Sequence, residues 1–467
     1  MSVALEAARE ALRGERAWLV GGAVRDRLMG RPVDDVDLVV DGDVRAAARH
    51  LALQVGGPSF PLSDAYGAWR VIGPDRRWQV DLTPLRGGTI EADLALRDFT
   101  VNAIAEPLPG GGLIDPHDGA GDVRRRRLHL VADRALADDP LRAVRLVRLA
   151  VELDLEPDRA AQAAAREHAP RAAQVAQERV FGELRRILGA SRAVDGLELL
   201  ARVGLEDVLL PELAAGRGMA QNRFHDRDVR GHTLAAVQAA IDLQADPEPA
   251  VGPELAPAVR GILAEPLADD LDRGGALRWA ALLHDIAKPP TRRELPDGRV
   301  TFIGHDGLGA DMARAVLTRL RASERLRSYV AALTRHHLHL GFLVHERPLA
   351  RRTIHRYLMA TDPLPADVTL LTVADRLATR GDNAGPAIAG HLDVVRTVLP
   401  HALAHQRGPA PEPLVRGDDL AGALGIRPGP RLGELLAEIA EARFAGEVGT
   451  RDEAVAYARG LLAPAPG

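Results

Sequence analysis

Two carboxylates near the start of the chain, Asp35 and Asp37, flank Val36 and lead into the apolar run Leu38-Val39-Val40. Residues i and i+2 of a β-strand share a face, so the two acids would project side by side. Like charges so placed call for a cation, and a pair of divalent ions gripping the attacking and departing oxygens is a common reason to build such a cluster for phosphoryl transfer. Asp81, in Trp78-Gln79-Val80-Asp81-Leu82, offers a third carboxylate, although a solvent-facing strand residue has the same pattern. Just upstream, Trp18-Leu19-Val20 reads as a strand ending in Gly21-Gly22, and Ala23-Val24-Arg25-Asp26-Arg27-Leu28 has helical character. Backbone amides at such a helix start can hold phosphates, and Arg25, one turn in, can add a guanidinium fork; a plain turn also uses paired glycines.

Two other sets of residues invite chemistry. In Asp138-Asp139-Pro140-Leu141-Arg142, followed by Arg145 and Arg148, Asp139 suits a helix N-cap and Pro140 the first helical position. The three arginines are spaced by three and form a slanted basic stripe, the pattern also of a solvated helix face. Farther on, His284-Asp285 closes the apolar segment 277–283, where adjacent imidazole and carboxylate groups could share a metal. The chain has no cysteine, so any metal must sit on His, Asp or Glu, and disulfides and thiol nucleophiles are excluded.

These groups need elements to position them. Strand-like runs at 17–20, 36–40, 69–72 and 78–82, with a helical stretch at 45–53, predict a small α/β domain. From about residue 135 the Ala/Leu/Arg-rich sequence has helical spacing almost throughout. Breaks fall at 246–275, which reads as an insertion inside a helical domain, at 405–416 and at 463–467. A chain of 467 residues suggests three or four domains. No apolar run of membrane-spanning length and no signal-like N-terminus appear, which points to a cytoplasmic protein without a membrane partner. The net charge of -5 does not advertise nucleic-acid binding, yet it does not exclude a local basic face. Positive charge is carried almost wholly by arginine, Lys288 being the sole lysine.

Gly21-Gly22-Ala23-Val24-Arg25-Asp26 followed by Asp35-Val36-Asp37 resembles the head motif of class II tRNA nucleotidyltransferases and bacterial poly(A) polymerases. Arg97-Asp98-Phe99-Thr100-Val101-Asn102-Ala103 resembles the family's second motif, which contacts sugar and phosphates, and Asp115-Pro116 with Gly119 and Asp122 its flexible connecting element. The resemblance implies that Asp139 and Arg142 face the incoming base. Cytosine and adenine both show an exocyclic amino donor beside a ring-nitrogen acceptor, so one carboxylate and one guanidinium can take either without a template. The family more often has Glu where this chain has Asp138. Glu178-Arg179 resembles a further neck motif that also suits helix capping. His232, His284, Asp285 and Asp375 occur in the order of the four ligands of the HD phosphohydrolase superfamily, and His305 with His336 or His337 occupies places where longer HD sites add ligands, as for a second metal. The segment from Leu414 to Leu436 resembles the family's C-terminal, tRNA-holding region.

The expectation is therefore a polymerase-β-like α/β nucleotidyltransferase head (1–135) followed by an all-α neck (136–215), HD domain (216–400) and tail (401–467). Asp35, Asp37 and Asp81 would be catalytic, with Mg²⁺ on Asp35 and Asp37. Gly21, Gly22, Arg25, Arg97, Asp98, Asn102, Asp139, Arg142, Arg145 and Arg148 would bind the nucleotide. His232, His284, Asp285 and Asp375, with His305 and His336, would hold an unidentified divalent metal. The implied activity is addition of C and A residues to tRNA 3′ ends from CTP and ATP. Addition of CC only or A only, poly(A) synthesis, and an HD phosphohydrolase with a vestigial head remain alternatives.

Overall fold

The computed structural model describes residues 3–33, 35–63, 67–346, 348–409 and 411–462. The expected break at 463–467 lies outside them. The chain divides into two units, Met1–Leu209 and Leu210–Gly467.

The first unit opens with a six-stranded sheet: β1 (Ala17–Val20), β2 (Asp35–Val40), β3 (Ser59–Ser63), β4 (Ala68–Ile72), β5 (Gln79–Pro84) and β6 (Ala105–Pro107). Their order is β3-β4-β5-β2-β1-β6. Only β2 and β5 pair in parallel, and the other neighbours are antiparallel. Helices α1 (Val3–Ala11) and α3 (Val44–Val55) cover one face, packing on Val36, Leu38 and Val40 of β2 and Val80 and Leu82 of β5. Val20 and Val39 belong to a smaller cluster with Ile90, Leu94 and Ala103. Strand alternation therefore puts Asp35 and Asp37 on the Val39 side of β2, away from the main core. The α3 helix is capped at both ends, by the Asp43 carboxylate on the Ala46 amide (3.0 Å) and by left-handed Gly56. Strands β3 and β6 escaped the sequence reading; β3 contains Pro61 at a sheet edge, and β6 has only three residues.

Beyond the sheet, helices Leu141–Glu152 and Gln177–Gly189 pack together. In the second unit, Val229–Ala245, Arg273–Leu283, His305–Arg319, Glu324–His336 and Pro365–Ala378 form a helical core. Helix Arg273–Leu283 has no exposed residue, which explains its apolar sequence on all sides. Residues 246–275, read as an insertion inside a helical domain, are themselves structured. They form helices Glu248–Val251 and Ala256–Leu263 and a short hairpin, burying Val251, Val259 and Ile262, and end with the Asp272 carboxylate capping Gly275 at 2.6 Å. The C-terminal helices Gly417–Leu424, Pro430–Ala445 and Arg451–Leu462 share their own small core around Leu420, Leu435, Ile439 and Ala454. No described helix is long and apolar enough to cross a membrane.

Candidate active site and metal centre

Parallel pairing of β2 with β5 sets Asp37 opposite Asp81, so the sheet register, not sequence proximity, brings the third carboxylate to the same face. Both oxygens of Asp81 are taken by Arg70 across the sheet, at 2.7 and 2.8 Å. Asp37 is exposed on the cleft side, with protein packed around the rest of its carboxyl. That environment, then the neighbouring Asp81 and Asp35 charges against the opposing Arg97 and Arg25, pushes its carboxyl up to about 6.

Gly21 adopts φ 67°, and a Cβ there would stand 2.9 Å from Nη1 of Arg97. Its amide donates to the Ile104 carbonyl (3.2 Å), which ties the turn to the strand beside β1. Helix α2 (Gly22–Leu28) starts immediately after, and Arg25 is buried against it. The Arg25 guanidinium donates to Asp26 (2.9 Å) and to Asn102 (2.5 Å), wiring the first motif to the second. Asp98 accepts from the Phe99 amide, from Asn102 and from Arg145. Burial opposes charge on Asp98, but Arg145 and these hydrogen bonds outweigh it and hold its carboxyl below the ordinary range. Arg25, Asp35, Asp37, Arg97, Asp98, Asn102, Arg142, Arg145 and Arg148 all line one cleft of about 660 Å³ that begins at Gly21 and Gly22.

The neck residues are placed differently from one another. Arg142 donates to the carbonyls of Leu96 (2.9 Å), Arg97 (3.3 Å) and Ala135 (3.1 Å). Asp139 is not among the cleft-lining residues. One of its oxygens accepts from the Leu141 amide (3.2 Å) and the other from Arg179 (2.8 Å); the helix begins at Leu141 with Pro140 at the N-cap, so Asp139 and Pro140 each lie one position earlier than expected. The connecting element is likewise built by caps: Asp115 accepts from the Gly119 and Ala120 amides, and Asp122 from Thr100.

Several supporting residues escaped the sequence reading. Asp93, almost fully buried, accepts from Arg97 and from Arg86, another cleft residue. Its i,i+4 spacing to Arg97 was the available signal. Buried Glu183 takes Arg145 (3.1 Å) and Arg148 (2.5 Å), joining the two neck helices.

The second unit gathers histidines and aspartates. His232, His284 and Asp375 form one group of ligand atoms lying within 4.8 Å of one another, and Asp285, His305 and His337 form another. Asp285 touches both, with Oδ2 at 3.1 Å from His284 Nε2 and Oδ1 at 3.4 Å from His305 Nε2. His284, His305 and His337 each fix Nδ1 on the backbone carbonyl three residues back, at 2.8, 2.7 and 2.6 Å. An N–H donated there leaves Nε2 as a lone-pair ligand, and Nε2 of His232, His284 and His305 is buried without an aligned hydrogen-bond partner. This donor set fits a divalent metal. Without metal, burial works against charge on His284 but Asp285 and Asp375 overcome it and lift its pKa to about 10, so a bound cation would displace that Nε2 proton, whereas burial and then His284 bring His337 down to about 4.

The expectation for His336 needs correction. His336 faces His339 (4.9 Å between rings), while its neighbour His337 packs on His284 and His305. Successive residues at a helix end project about 100° apart, so only one of the pair can face the centre. Two further groups were missed. His225 meets His232 edge-on at 4.9 Å, and Lys288 lies 2.6 Å from Asp285 and 2.7 Å from Gln221.

Comparisons with known proteins agree with this geometry. Residues 17–129 match, in two overlapping segments, the poly(A) polymerase head domain, 154–216 a probable RNA- and SrmB-binding site of polymerase A, and 261–380 the HD domain. The A-adding tRNA nucleotidyltransferase of Deinococcus radiodurans is 39% identical over 97% of this chain and 96% of its own length. The CC-adding tRNA nucleotidyltransferase of Thermus thermophilus is 36% identical over 94% and 92%. Among solved structures, the Thermotoga maritima CCA-adding enzyme complexed with tRNA superposes with a TM-score of 0.64 at 18% identity, covering 98% of this chain and 95% of that one. The Bacillus stearothermophilus CCA-adding enzyme in complex with CTP gives 0.65 at 22%, covering 99% and 98%. With full-length relatives at this identity and a polymerase head joined to an HD domain, the chain belongs to the tRNA nucleotidyltransferase family.

Proposed function

We propose that this protein adds C and A residues to the 3′ end of tRNA from CTP and ATP, without a nucleic-acid template and with release of pyrophosphate. The observation that carries the reading is the meeting of Asp35 and Asp37 with the Gly21-Gly22 turn and an arginine wall in a single cleft, with Asp81 opposite Asp37 across the sheet but not in the cleft lining. Crowded carboxylates, one of them pushed up to about 6, fit a hard cation. Asp35 and Asp37 would hold Mg²⁺, which when bound offsets charge as a 3′-hydroxyl attacks the α-phosphate.

The chain's own residues bind and orient. The Gly21-Gly22 turn, Arg25 and Arg97 receive the triphosphate; Asn102 holds Arg25, Asp93 holds Arg97, and Asp98 ties the neck through Arg145. Asp139 and Arg142 choose the base by offering one acceptor and one donor edge. In that role Asp139 exchanges its contact with Arg179 for the base. A place in tRNA maturation goes with a cytoplasmic location.

Two divalent ions would be held in the HD centre, one by His232, His284 and Asp375 and one by Asp285, His305 and His337. Hydrolysis of phosphate esters is the accessory chemistry such a centre suits.

The test is incubation with tRNA lacking its terminal CCA and labelled CTP and ATP, singly and together, read as added length. Two additions with CTP alone and a third only with both nucleotides is the expected result. Unlimited A addition, or no incorporation alongside phosphate release that Asp285→Ala abolishes, overturns it. The A-adding and CC-adding relatives favour a second reading, in which only one of these steps is performed. Addition of two C residues that stops there, or of A only to tRNA already ending in CC, identifies it.

A further inference from the structure

A row of charged side chains crosses the open face of the head sheet. Arg70 of β4 lies opposite Asp81 of β5, and Asp81 lies opposite Asp37 of β2. The residues on either side of each, Trp69 and Val71, Val80 and Leu82, Val36 and Leu38, pack into or against the main core beneath the sheet. Alternation therefore turns all three charged groups to the face away from that core. Arg70 grips Asp81 as a fork, Nε to Oδ1 at 2.7 Å and Nη2 to Oδ2 at 2.8 Å, so each carboxylate oxygen accepts a guanidinium hydrogen. Both side chains are largely shielded, 27% and 19% exposed, which leaves their charges incompletely screened. Neither Arg70 nor Asp81 lines the nucleotide-binding cleft, whereas Asp35 and Asp37 do. The hydrogen bond to Asp81, and then the charges of Asp81, Asp35 and Asp37, raise the Arg70 guanidinium above its ordinary value against the opposing effect of burial. The cation that holds Asp81 thus also feels both cleft acids.

We propose that Arg70 is a positioning residue for nucleotidyl transfer: it keeps Asp81 from ligating the metal and cancels its charge, leaving Asp35 and Asp37 as the carboxylates that grip the cation. A third carboxylate free to ligate would take a coordination position that substrate oxygens need, and would hold the ion too firmly for it to follow the reacting phosphate. Arginine suits this task because its planar fork fixes both oxygens at once, which the single ammonium of a lysine does not do. The assignment gives Asp81 an electrostatic place beside Asp37 rather than a place among the ligands.

The inference rests on the metal-dependent transfer proposed above, and the experiment tells the two apart. Mn²⁺ binding is followed by the electron paramagnetic resonance of the free ion, on protein whose HD centre is already loaded, and steady-state incorporation on tRNA is measured alongside. The proteins are the parent, Arg70→Gln, Asp81→Asn and the double variant, with Asp37→Ala as control. A parent that incorporates no nucleotide, or whose Mn²⁺ binding is unaltered by Asp37→Ala, overturns the metal-dependent reading. With that reading intact, Arg70→Gln should tighten Mn²⁺ binding about tenfold, because a free carboxylate then faces the ion. Asp81→Asn should weaken it about tenfold, because the guanidinium is left unbalanced. The double variant restores a neutral pair and should return to within about threefold of the parent. Turnover should follow the same logic: kcat falls about tenfold in Arg70→Gln and recovers in the double variant, with KM for tRNA unchanged. A double variant that binds Mn²⁺ no better than Asp81→Asn makes Asp81 a ligand and overturns the proposal, as does unchanged binding in both single variants. The double variant carries no unbalanced charge, so a folding defect in Arg70→Gln leaves its comparison with Asp81→Asn decisive.

Discussion

The two centres of this chain begin from similar sequence signals, acidic or imidazole groups beside an apolar run, yet they are built in opposite ways. In the head, Asp35 and Asp37 open onto a cleft, and the third carboxylate is occupied by Arg70. The site is left incomplete, as suits a centre whose remaining ligands arrive on the substrate phosphates. In the HD centre, His232, His284 and Asp285 are almost wholly buried, and the rings of His284, His305 and His337 are held by backbone carbonyls. Its donors are organised in advance and supplied by the protein alone. The contrast teaches that burial, more than residue type, separates a centre assembled with its substrate from one that belongs to the fold.

That contrast can be broken most sharply at Asp37. Asp37→Ala should lower nucleotide incorporation by about two to three orders of magnitude or more while leaving tRNA affinity and the unfolding midpoint nearly unchanged. A large loss of stability would mean that the head carboxylates are structural. Asp285→Ala should do the reverse: metal content, read by elemental analysis, should fall from about two ions per chain to near zero. Incorporation should change by less than about twofold. The variant also strands Lys288, which is buried beside Asp285, and should cost about 3 kcal/mol in urea unfolding. Glu183→Gln removes the shared partner of Arg145 and Arg148 and should cost about 2–3 kcal/mol by the same measurement, since two cations lose their common carboxylate.

The smallest effect expected is on pH. Asp37 titrates near 6, above an ordinary aspartate, so the folded chain favours its protonated form. Without metal, that group contributes stability below about pH 4, where it is protonated in both states, and loses it as pH rises through 6. Mg²⁺ requires the ionised form. The Mg²⁺-induced rise in melting temperature should therefore be larger at pH 7.5 than at 5.5, and Asp37→Asn should abolish the difference. A rise independent of pH would remove Asp37 from the metal site.

Much of this was legible because local patterns report local geometry. Alternation along 35–40 placed two carboxylates on one strand face, and resemblance to the HD superfamily, through the order His232, His284-Asp285, Asp375, pointed to one centre. What escaped was what another element had to supply. Asp93 and Glu183 have no motif of their own, and their roles exist only because Arg97, Arg145 and Arg148 come to them from elsewhere in the fold. The choice between His336 and His337 depended on the rotation at a helix end, and the core role of 246–275 on what those short helices pack against.

By itself, then, the sequence determined which residues could do chemistry and which strand or helix each would ride on, since periods of two and 3.6 residues follow from backbone geometry. The tertiary structure alone decided the pairings. The parallel register of β2 with β5 put Asp81 beside Asp37, the Arg179 contact drew Asp139 out of the cleft lining, and the packing of five helices closed two ligand groups around Asp285. Each depends on residues far apart in the chain, whose proximity is set by burial of apolar faces across the whole domain, a quantity no short segment contains.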